Sequence, residues 1–289
     1  MCIICDKPVE KLLNLQDIDC HNCPNLTAIP DKLVNLVQLN CYGCPLLTTI
    51  PSTLINLKFL GCSNCFGLTE IPNTLVKLEH LNCSGCLFVN IPSTLINLLI
   101  LDATDCRFIS SIPDTLVNLI SLFCNSIGTI PSTLINLQYL NCSNCPSLVT
   151  IPSNLVKLLR ISFHKCPIFT DIPTTLVNLE ALQCLHCPLL TTIPSSLIKL
   201  KKLVCRGCKF TTIPATLLNL ESLENGTYLY IPFKLKQKIF PKPNNYVAIF
   251  TSKLRRRWRR MKTKRLTNFL NRENKCPAVL NVLISSYVF

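Results

Sequence analysis

Cysteine pairs are the residues of this chain whose type and spacing most suggest chemistry. Cys20, Cys23, Cys41 and Cys44 follow the spacing C-x2-C-x17-C-x2-C, which matches a zinc-binding template. The same pair recurs further along the chain at Cys62/Cys65, Cys83/Cys86, Cys142/Cys145, Cys184/Cys187 and Cys205/Cys208. Thiolates at this spacing would favour a soft metal ion such as zinc.

Apolar residues at equivalent positions favour a structural role for these cysteines instead. Ala103 and Phe163 stand where other copies have the first cysteine, and Ile127 stands where they have the second. None of these side chains binds metal. We therefore expect the first cysteine to be a small core residue and the second to donate weakly to neighbouring backbone. Metal ligation and disulfides remain the alternatives, and we expect no cofactor and no metal.

The four histidines could be paired with cysteines in a catalytic arrangement. His21 and His164 follow the first-cysteine position, His80 lies one residue before a repeated leucine, and His186 lies between Cys184 and Cys187. A Cys–His nucleophile pair at His186 is disfavoured, because the two cysteines should point inward while the histidine points outward. We expect no catalytic residue and no enzymatic activity.

An internal repeat must position all these residues. Ile-Pro recurs with intervals of 21, 21, 20, 21, 18, 21, 21, 21 and 20 residues, beginning at Ile29 and ending at Ile213. Periods of this size are typical of solenoids, in which one unit cannot bury its apolar face alone. The interval of 18 marks a shortened unit at Ser121–Ile130. The first unit is degenerate, and its Cys2, Cys5, Leu12 and Leu15 suggest a worn cap.

One unit, Leu36–Asn56, has the pattern L-x-x-L-x-C-x-x-C-x-x-L-x-x-I-P-x-x-L-x-x. Leu39 and Cys41 are two residues apart, as on one face of a strand. Leu54 and Leu57 are three apart, as on a short helical turn that begins at Pro51. We expect the Ser or Thr directly after each proline to cap that turn.

This pattern resembles the leucine-rich repeat family over residues 12–224, and its Cys-rich form is similar to repeat proteins of giant DNA viruses of amoebae. The resemblance implies an α/β repeat solenoid with a parallel sheet on the concave face and short helical or irregular turns on the convex face. It also implies that the concave face binds another protein, here a viral protein binding a host partner.

Strand positions that face outward form the candidate partner-binding surface. Acidic residues dominate the early units, basic residues dominate the late units, and aromatic residues lie between them. Exposed aromatic residues on a rigid sheet are typical contact anchors, although a merely solvated sheet is the alternative. The candidate contact residues are Tyr42, Phe59, His80, Asp102, Phe123, Tyr139, Arg160, His164 and Arg206.

Charge divides the chain into a repeat domain, residues 1–224, and a basic extension, residues 225–289. The first holds 14 basic and 14 acidic residues, whereas the extension holds the other 15 basic residues and only Glu273. Its most basic stretch, Lys253–Arg265, would carry Leu254, Trp258 and Met261 on one helical stripe. That stretch could act in nuclear targeting, nucleic-acid binding or anionic-membrane attachment, or be a solvated extension, and its candidate residues are Arg255, Arg256, Arg257, Trp258, Arg259 and Arg260.

Two further functions compete with protein binding. A ubiquitin ligase or ligase adaptor would join such repeats to a catalytic domain or an F-box helix, but the basic extension with its single Cys276 looks too short and too basic. Nucleic-acid binding would proceed through residues 253–265. With no secretory leader and no apolar run of about 18 residues, we expect no membrane span and an intracellular location, in the host cytoplasm or the nucleus.

Overall fold

The structure, a computed structural model, describes residues 2–224, 230–232, 235 and 238–239. Met1–Pro232 form one compact unit that is distinct from Phe233–Phe289. Nearly all of the predicted basic extension, including residues 253–265, lies outside the described residues, so the proposed division at residue 224 stays a prediction. The described residues include no helix long and apolar enough to cross a membrane.

A single parallel sheet runs along the repeats. Its eleven strands lie side by side in chain order. Each strand pairs with the equivalent residues one repeat away, so that Leu39 pairs with Leu60 and Leu60 with Leu81. The strands are β1 (Asp17–Asp19), β2 (Gln38–Asn40), β3 (Phe59–Gly61), β4 (His80–Asn82), β5 (Ile100–Ala103), β6 (Ser121–Cys124), β7 (Tyr139–Cys142), β8 (Arg160–His164), β9 (Ala181–Leu185), β10 (Lys202–Val204) and β11 (Ser222–Glu224). The predicted solenoid with a parallel sheet is confirmed.

The core consists of columns of equivalent residues. Leu39 and Cys41 are fully buried, as the strand period of two predicts. Ala103, Phe163 and Ile127, which replace cysteine, are buried as well. The larger Phe163 packs against Phe169 with ring centroids 4.3 Å apart. The first cysteine of each pair is therefore a core residue, as predicted.

The second cysteine of the pair forms a ladder between repeats. In most repeats its Sγ donates to the carbonyl oxygen of the first cysteine in the preceding repeat, as between Cys65 and Cys41 at 2.9 Å and between Cys86 and Cys62 at 3.0 Å. Cys145 and Cys187 instead bond to carbonyl oxygens of their own repeats. Burial raises the pKa of the Cys44 thiol to about 11, which keeps it protonated and able to donate. The predicted weak donation to neighbouring backbone is confirmed, and it links successive repeats.

The segment after each Ile-Pro consists of successive turns instead of a helix. The amide of Leu54 donates to the carbonyl of Pro51 at 3.3 Å, and that of Leu57 to Leu54 at 3.0 Å. The predicted capping by the residue after proline is wrong. The hydroxyl one position later bonds instead, and it reaches the previous repeat, as where Thr74 Oγ1 donates to the carbonyl of Ser52 at 2.6 Å.

Asparagine forms a second ladder along these turns. Asn56 Nδ2 donates to the carbonyl of Val34 at 3.0 Å, and Asn97 Nδ2 donates to that of Val76 at 2.9 Å. Where lysine replaces asparagine, Lys77 Nζ donates to Asn56 Oδ1 at 2.8 Å. The uniformity of the turn sequence therefore follows from bonding between adjacent repeats.

The worn first unit caps the solenoid. It contains a short helix, α1 (Ile3–Asp6), and one 3-10 turn, Val9–Lys11. Leu12 is fully buried and extends the leucine column, and Cys2 is buried as well. The cap therefore covers the apolar end of the first complete repeat.

Candidate interaction surface

The outward side chains of the strands, and of the residues that directly follow them, form a surface that we call the sheet face. Row 1 is the residue before the buried strand leucine, row 2 the residue after it, and row 3 the residue that follows the first cysteine. The predicted contact residues occupy all three rows: Phe59, His80, Tyr139 and Arg160 in row 1, Asp102 and Phe123 in row 2, and Tyr42, His164 and Arg206 in row 3.

An aromatic group lies on β3 and β4. Phe59 and His80 are register neighbours, and their rings meet edge to face with centroids 6.3 Å apart. Gly61 leaves room for this ring, because a Cβ there would lie 3.3 Å from Phe59 Cε1. Burial lowers the pKa of His80, although the charge of Glu79 opposes the shift. Tyr42, in row 3 of the preceding repeat, is exposed.

A basic group lies on the later strands. Arg160 is the register neighbour of Tyr139, and its guanidinium carbon is 5.9 Å from the centre of the tyrosine ring. This distance is within the range of a cation–π contact. Arg206 donates to Glu224 Oε2 at 3.2 Å. Burial, together with the charge of Arg160, lowers the pKa of Lys202 in the same region.

Row 2 has a local structural function. The side-chain oxygens of Asn40, Asn82 and Asp102 accept the backbone N–H two residues further on, at 3.3, 3.2 and 3.0 Å. Such bonds hold the chain as it leaves the strand. Burial raises the pKa of Asp102, although the bonds from Thr104 oppose the shift. Asp102 is therefore half-buried and already bonded.

Phe123 differs from the expectation. It is only 8% exposed, and Ser121 beside it on β6 is fully buried. Phe123 lies in the middle of the sheet, and its register neighbours are Asp102 on β5 and Asn141 on β7. A large side chain at this position therefore has a neighbour on each side. The prediction that Phe123 is exposed is wrong, and the accessible aromatic residues lie on either side of β6.

A groove beside row 3 is a feature that the sequence did not reveal. Its volume is about 490 Å³, and it is lined by Asn144, Pro146, Lys165, Pro167, His186, Pro188 and Gly207. The ring centroids of His164 and His186 are 5.8 Å apart at this edge. Burial, together with the nearby Lys165 and His186 side chains, lowers the pKa of His164. The recurring Cys-Pro dipeptide is the one sequence signal that could have indicated the groove.

Each repeat turns at a residue with positive φ on this flank. Asn64 has φ 57° and Gly85 has φ 74° in successive repeats. A Cβ on Gly85 would lie 2.4 Å from Asn64 Oδ1. The other residues of this column are Asn22, Gly43, Asp105, Ser126, Asn144, Lys165, His186 and Gly207. Glycine is therefore favoured where the preceding side chain extends over the turn.

A row of exposed apolar residues, one per repeat, follows the first leucine after each Ile-Pro. Its members are between 40% and 58% exposed and comprise Val34, Ile55, Val76, Ile96, Val117, Ile135, Val156, Val177, Ile198 and Leu218.

The basic-tail residues, Arg255 to Arg260 with Trp258, lie outside the described part of the chain.

Comparison with known proteins places the fold. The Leucine Rich Repeat family model matches residues 35–57 and 136–158. No curated protein sequence matches the chain significantly. The functional domain of InlJ from Listeria monocytogenes, which includes a cysteine ladder, is 22% identical with a TM-score of 0.62, and the alignment covers 80% of this chain and 57% of InlJ.

Two plant receptor ectodomains are also similar. The leucine-rich repeat ectodomain of the Arabidopsis receptor kinase HAESA, in complex with an IDA peptide hormone, is 25% identical with a TM-score of 0.55, covering 72% of this chain and 42% of that one. The ectodomain of GASSHO1/SCHENGEN3 from Arabidopsis thaliana is 21% identical with a TM-score of 0.50, covering 75% of this chain and 34% of that one. This chain thus spans less than two thirds of each of these proteins. Residues 2–224 therefore have the fold of a leucine-rich repeat solenoid, and two of their segments match the family model.

Proposed function

We propose that the solenoid binds another protein through the sheet face. The observation that carries this proposal is that Tyr42, Phe59 and Tyr139 stand on the outer side of a continuous parallel sheet, each exposed or half-exposed. Aromatic side chains on a rigid scaffold lose little conformational entropy on binding, and they are frequent anchors of interfaces. The HAESA solenoid, with the same fold, is in complex with a peptide hormone.

Charge on the sheet face would orient such a partner. Asp17 and Asp19 lie on β1, whereas Arg160 and Lys202 lie on β8 and β10. A partner with an acidic segment would therefore align it along the later strands. Because the repeats are neutral as a whole, with 14 basic and 14 acidic residues, we expect binding to survive moderate salt.

The test compares two sets of aromatic substitutions in the full-length chain. One variant replaces Tyr42, Phe59 and Tyr139 with alanine. The control replaces Phe66 and Phe108, each 56% exposed and outside the three rows of the sheet face. Partners captured from the native host by the unmodified chain are quantified by mass spectrometry. We expect the sheet-face variant to lose them and the control to keep them. The reverse pattern would refute the sheet face as the binding surface.

A further inference from the structure

Three cysteines meet at the N-terminal end of the solenoid. The Sγ atoms of Cys2, Cys5 and Cys23 all lie within 4.8 Å of one another, and those of Cys5 and Cys23 are 3.6 Å apart. Zinc–sulfur bonds of about 2.3 Å in a tetrahedron place neighbouring sulfurs about 3.8 Å apart. In the described part of the chain, no other group of three potential ligands is this close.

The end of the repeat ladder explains why Cys23 is available. In most later repeats the second cysteine donates to a carbonyl of the preceding repeat, as Cys44 does to Cys20 at 3.2 Å. Cys23 belongs to the first complete repeat and lies against the cap. There, α1 brings Cys2 and Cys5 within one turn, and the amide of Cys5 donates to the Cys2 carbonyl at 3.0 Å. The Cys23 thiol thus lies beside the sulfur atoms of Cys2 and Cys5.

The surroundings suit a metal ion. Cys5 is exposed, so an ion has access to a site whose other two cysteines are buried. A cleft of about 170 Å³ beside the sulfurs is also lined by Asp6 and His21. His21 Nδ1 is 2.6 Å from Asp19 Oδ1. A carboxylate at this distance orients the ring in the way typical of metal-bound histidines, and it leaves Nε2 available.

Zinc is bound by the thiolate form of cysteine, so zinc binding at this cluster would release the protons of the three thiols to the solvent.

We propose that Cys2, Cys5 and Cys23 are the thiolate ligands of a zinc site at the N-terminal end of the solenoid, with the fourth ligand taken from the cleft. The site would hold the cap against the first repeat. It departs from the sequence expectation that the chain binds no metal. That expectation weighed the repeated cysteine pairs, which are fixed by backbone carbonyls, and treated Cys2 and Cys5 only as remnants of a repeat.

The chain offers a matched control for this site. The Sγ atoms of Cys124 and Cys142 are 3.7 Å apart, almost the same distance as those of Cys5 and Cys23, but both residues are buried in the core. Cys124→Ala is suited to folding because Ala103 fills the equivalent position one repeat earlier. Cys5→Ser is suited because Cys5 is exposed.

The experiment uses the full-length chain, reduced and stripped of metal by a chelator. It is titrated first with Co²⁺, whose thiolate complexes absorb strongly, and then with Zn²⁺ as a competitor. We expect one equivalent of Co²⁺, a thiolate charge-transfer band that Zn²⁺ abolishes, and a thermal midpoint raised by Zn²⁺. Cys124→Ala should behave like the unmodified chain. Cys5→Ser should bind at least about 100-fold more weakly.

Two results would overturn the proposal. One is equal metal binding by Cys5→Ser and the unmodified chain, because the ion would then be bound elsewhere. The other is no binding by the reduced chain. If the chain binds no metal and peptide mapping after air oxidation shows a Cys5–Cys23 disulfide, Cys5 and Cys23 serve as a redox pair and not as zinc ligands.

Discussion

Because neighbouring residues of β2 lie on opposite faces of the sheet, we expect their substitution to lower the free energy of unfolding by very different amounts. Leu39 is fully buried, and Leu39→Ala removes three carbon atoms from the core. At about 0.8 kcal/mol per buried methylene the transfer loss is about 2.4 kcal/mol, and the residual cavity raises the total to about 2–5 kcal/mol. Asn40→Ala removes a half-buried acceptor, 3.3 Å from the amide of Tyr42, and should cost only about 0.5 kcal/mol.

The measurement is urea denaturation of the full-length chain, followed by far-ultraviolet circular dichroism. Leu140→Ala and Asn141→Ala on β7 repeat the comparison in the middle of the sheet. The pair of strands tests whether the cost depends on position along the solenoid. Equal destabilisation by the leucine and asparagine substitutions would contradict the assignment of one strand face to the core and the other to solvent.

Three further predictions concern the turns, the histidines and the basic extension. Gly85→Ala should lower the free energy of unfolding by about 1–3 kcal/mol in chemical denaturation, because alanine is disfavoured at φ 74° and its Cβ would meet Asn64. A smaller loss in the Asn64→Ala background would show how much of it comes from that contact, and an unchanged loss would exclude the contact. Burial lowers the pKa of His80, so the unfolded chain binds a proton more readily than the folded chain does. The free energy of unfolding should therefore fall as the pH decreases below about 6.5, and His80→Gln should reduce this dependence on pH. An unchanged pH dependence in the variant would contradict the burial of His80. Any nucleic-acid binding by the extension should weaken steeply with salt. It should disappear, with the protein partner still bound, when five arginines of the extension become glutamine: Arg255, Arg256, Arg257, Arg259 and Arg260. Loss of that partner would instead place recognition in the extension.

The sequence predicts those parts of the structure that depend on one repeat and its neighbour. The burial of Leu39 and Cys41 follows from the strand period, and the role of the second cysteine follows from apolar replacements such as Ile127. The hydroxyl ladder was missed, because the acceptor of Thr74 lies 22 residues earlier and not in its own turn. A local capping rule cannot identify such a partner.

Features that depend on several elements at once were less predictable. The burial of Phe123 depends on what stands in register on β5 and β7, and the pattern within one strand does not contain that information. The meeting of Cys2, Cys5 and Cys23 depends on how α1 packs against the first repeat. Both features arise from tertiary packing. The local sequence alone predicts an exposed strand residue at Phe123 and a degenerate repeat at Cys2 and Cys5.

Because each strand of the parallel sheet pairs one-to-one with the next, distances along its outer surface are multiples of one strand spacing. Phe59 on β3 and Arg160 on β8 are separated by five strand steps, about 24 Å at about 4.8 Å per step. Because nearly identical repeats bond only to their neighbours, unequal recombination could remove or duplicate one unit and leave both flanking stacks intact. Each such event would move the aromatic and basic groups by one whole step. The number of repeats thus sets the distance between the two groups, and under the proposed function it would match the sheet face to partners of different length without changing any contact residue.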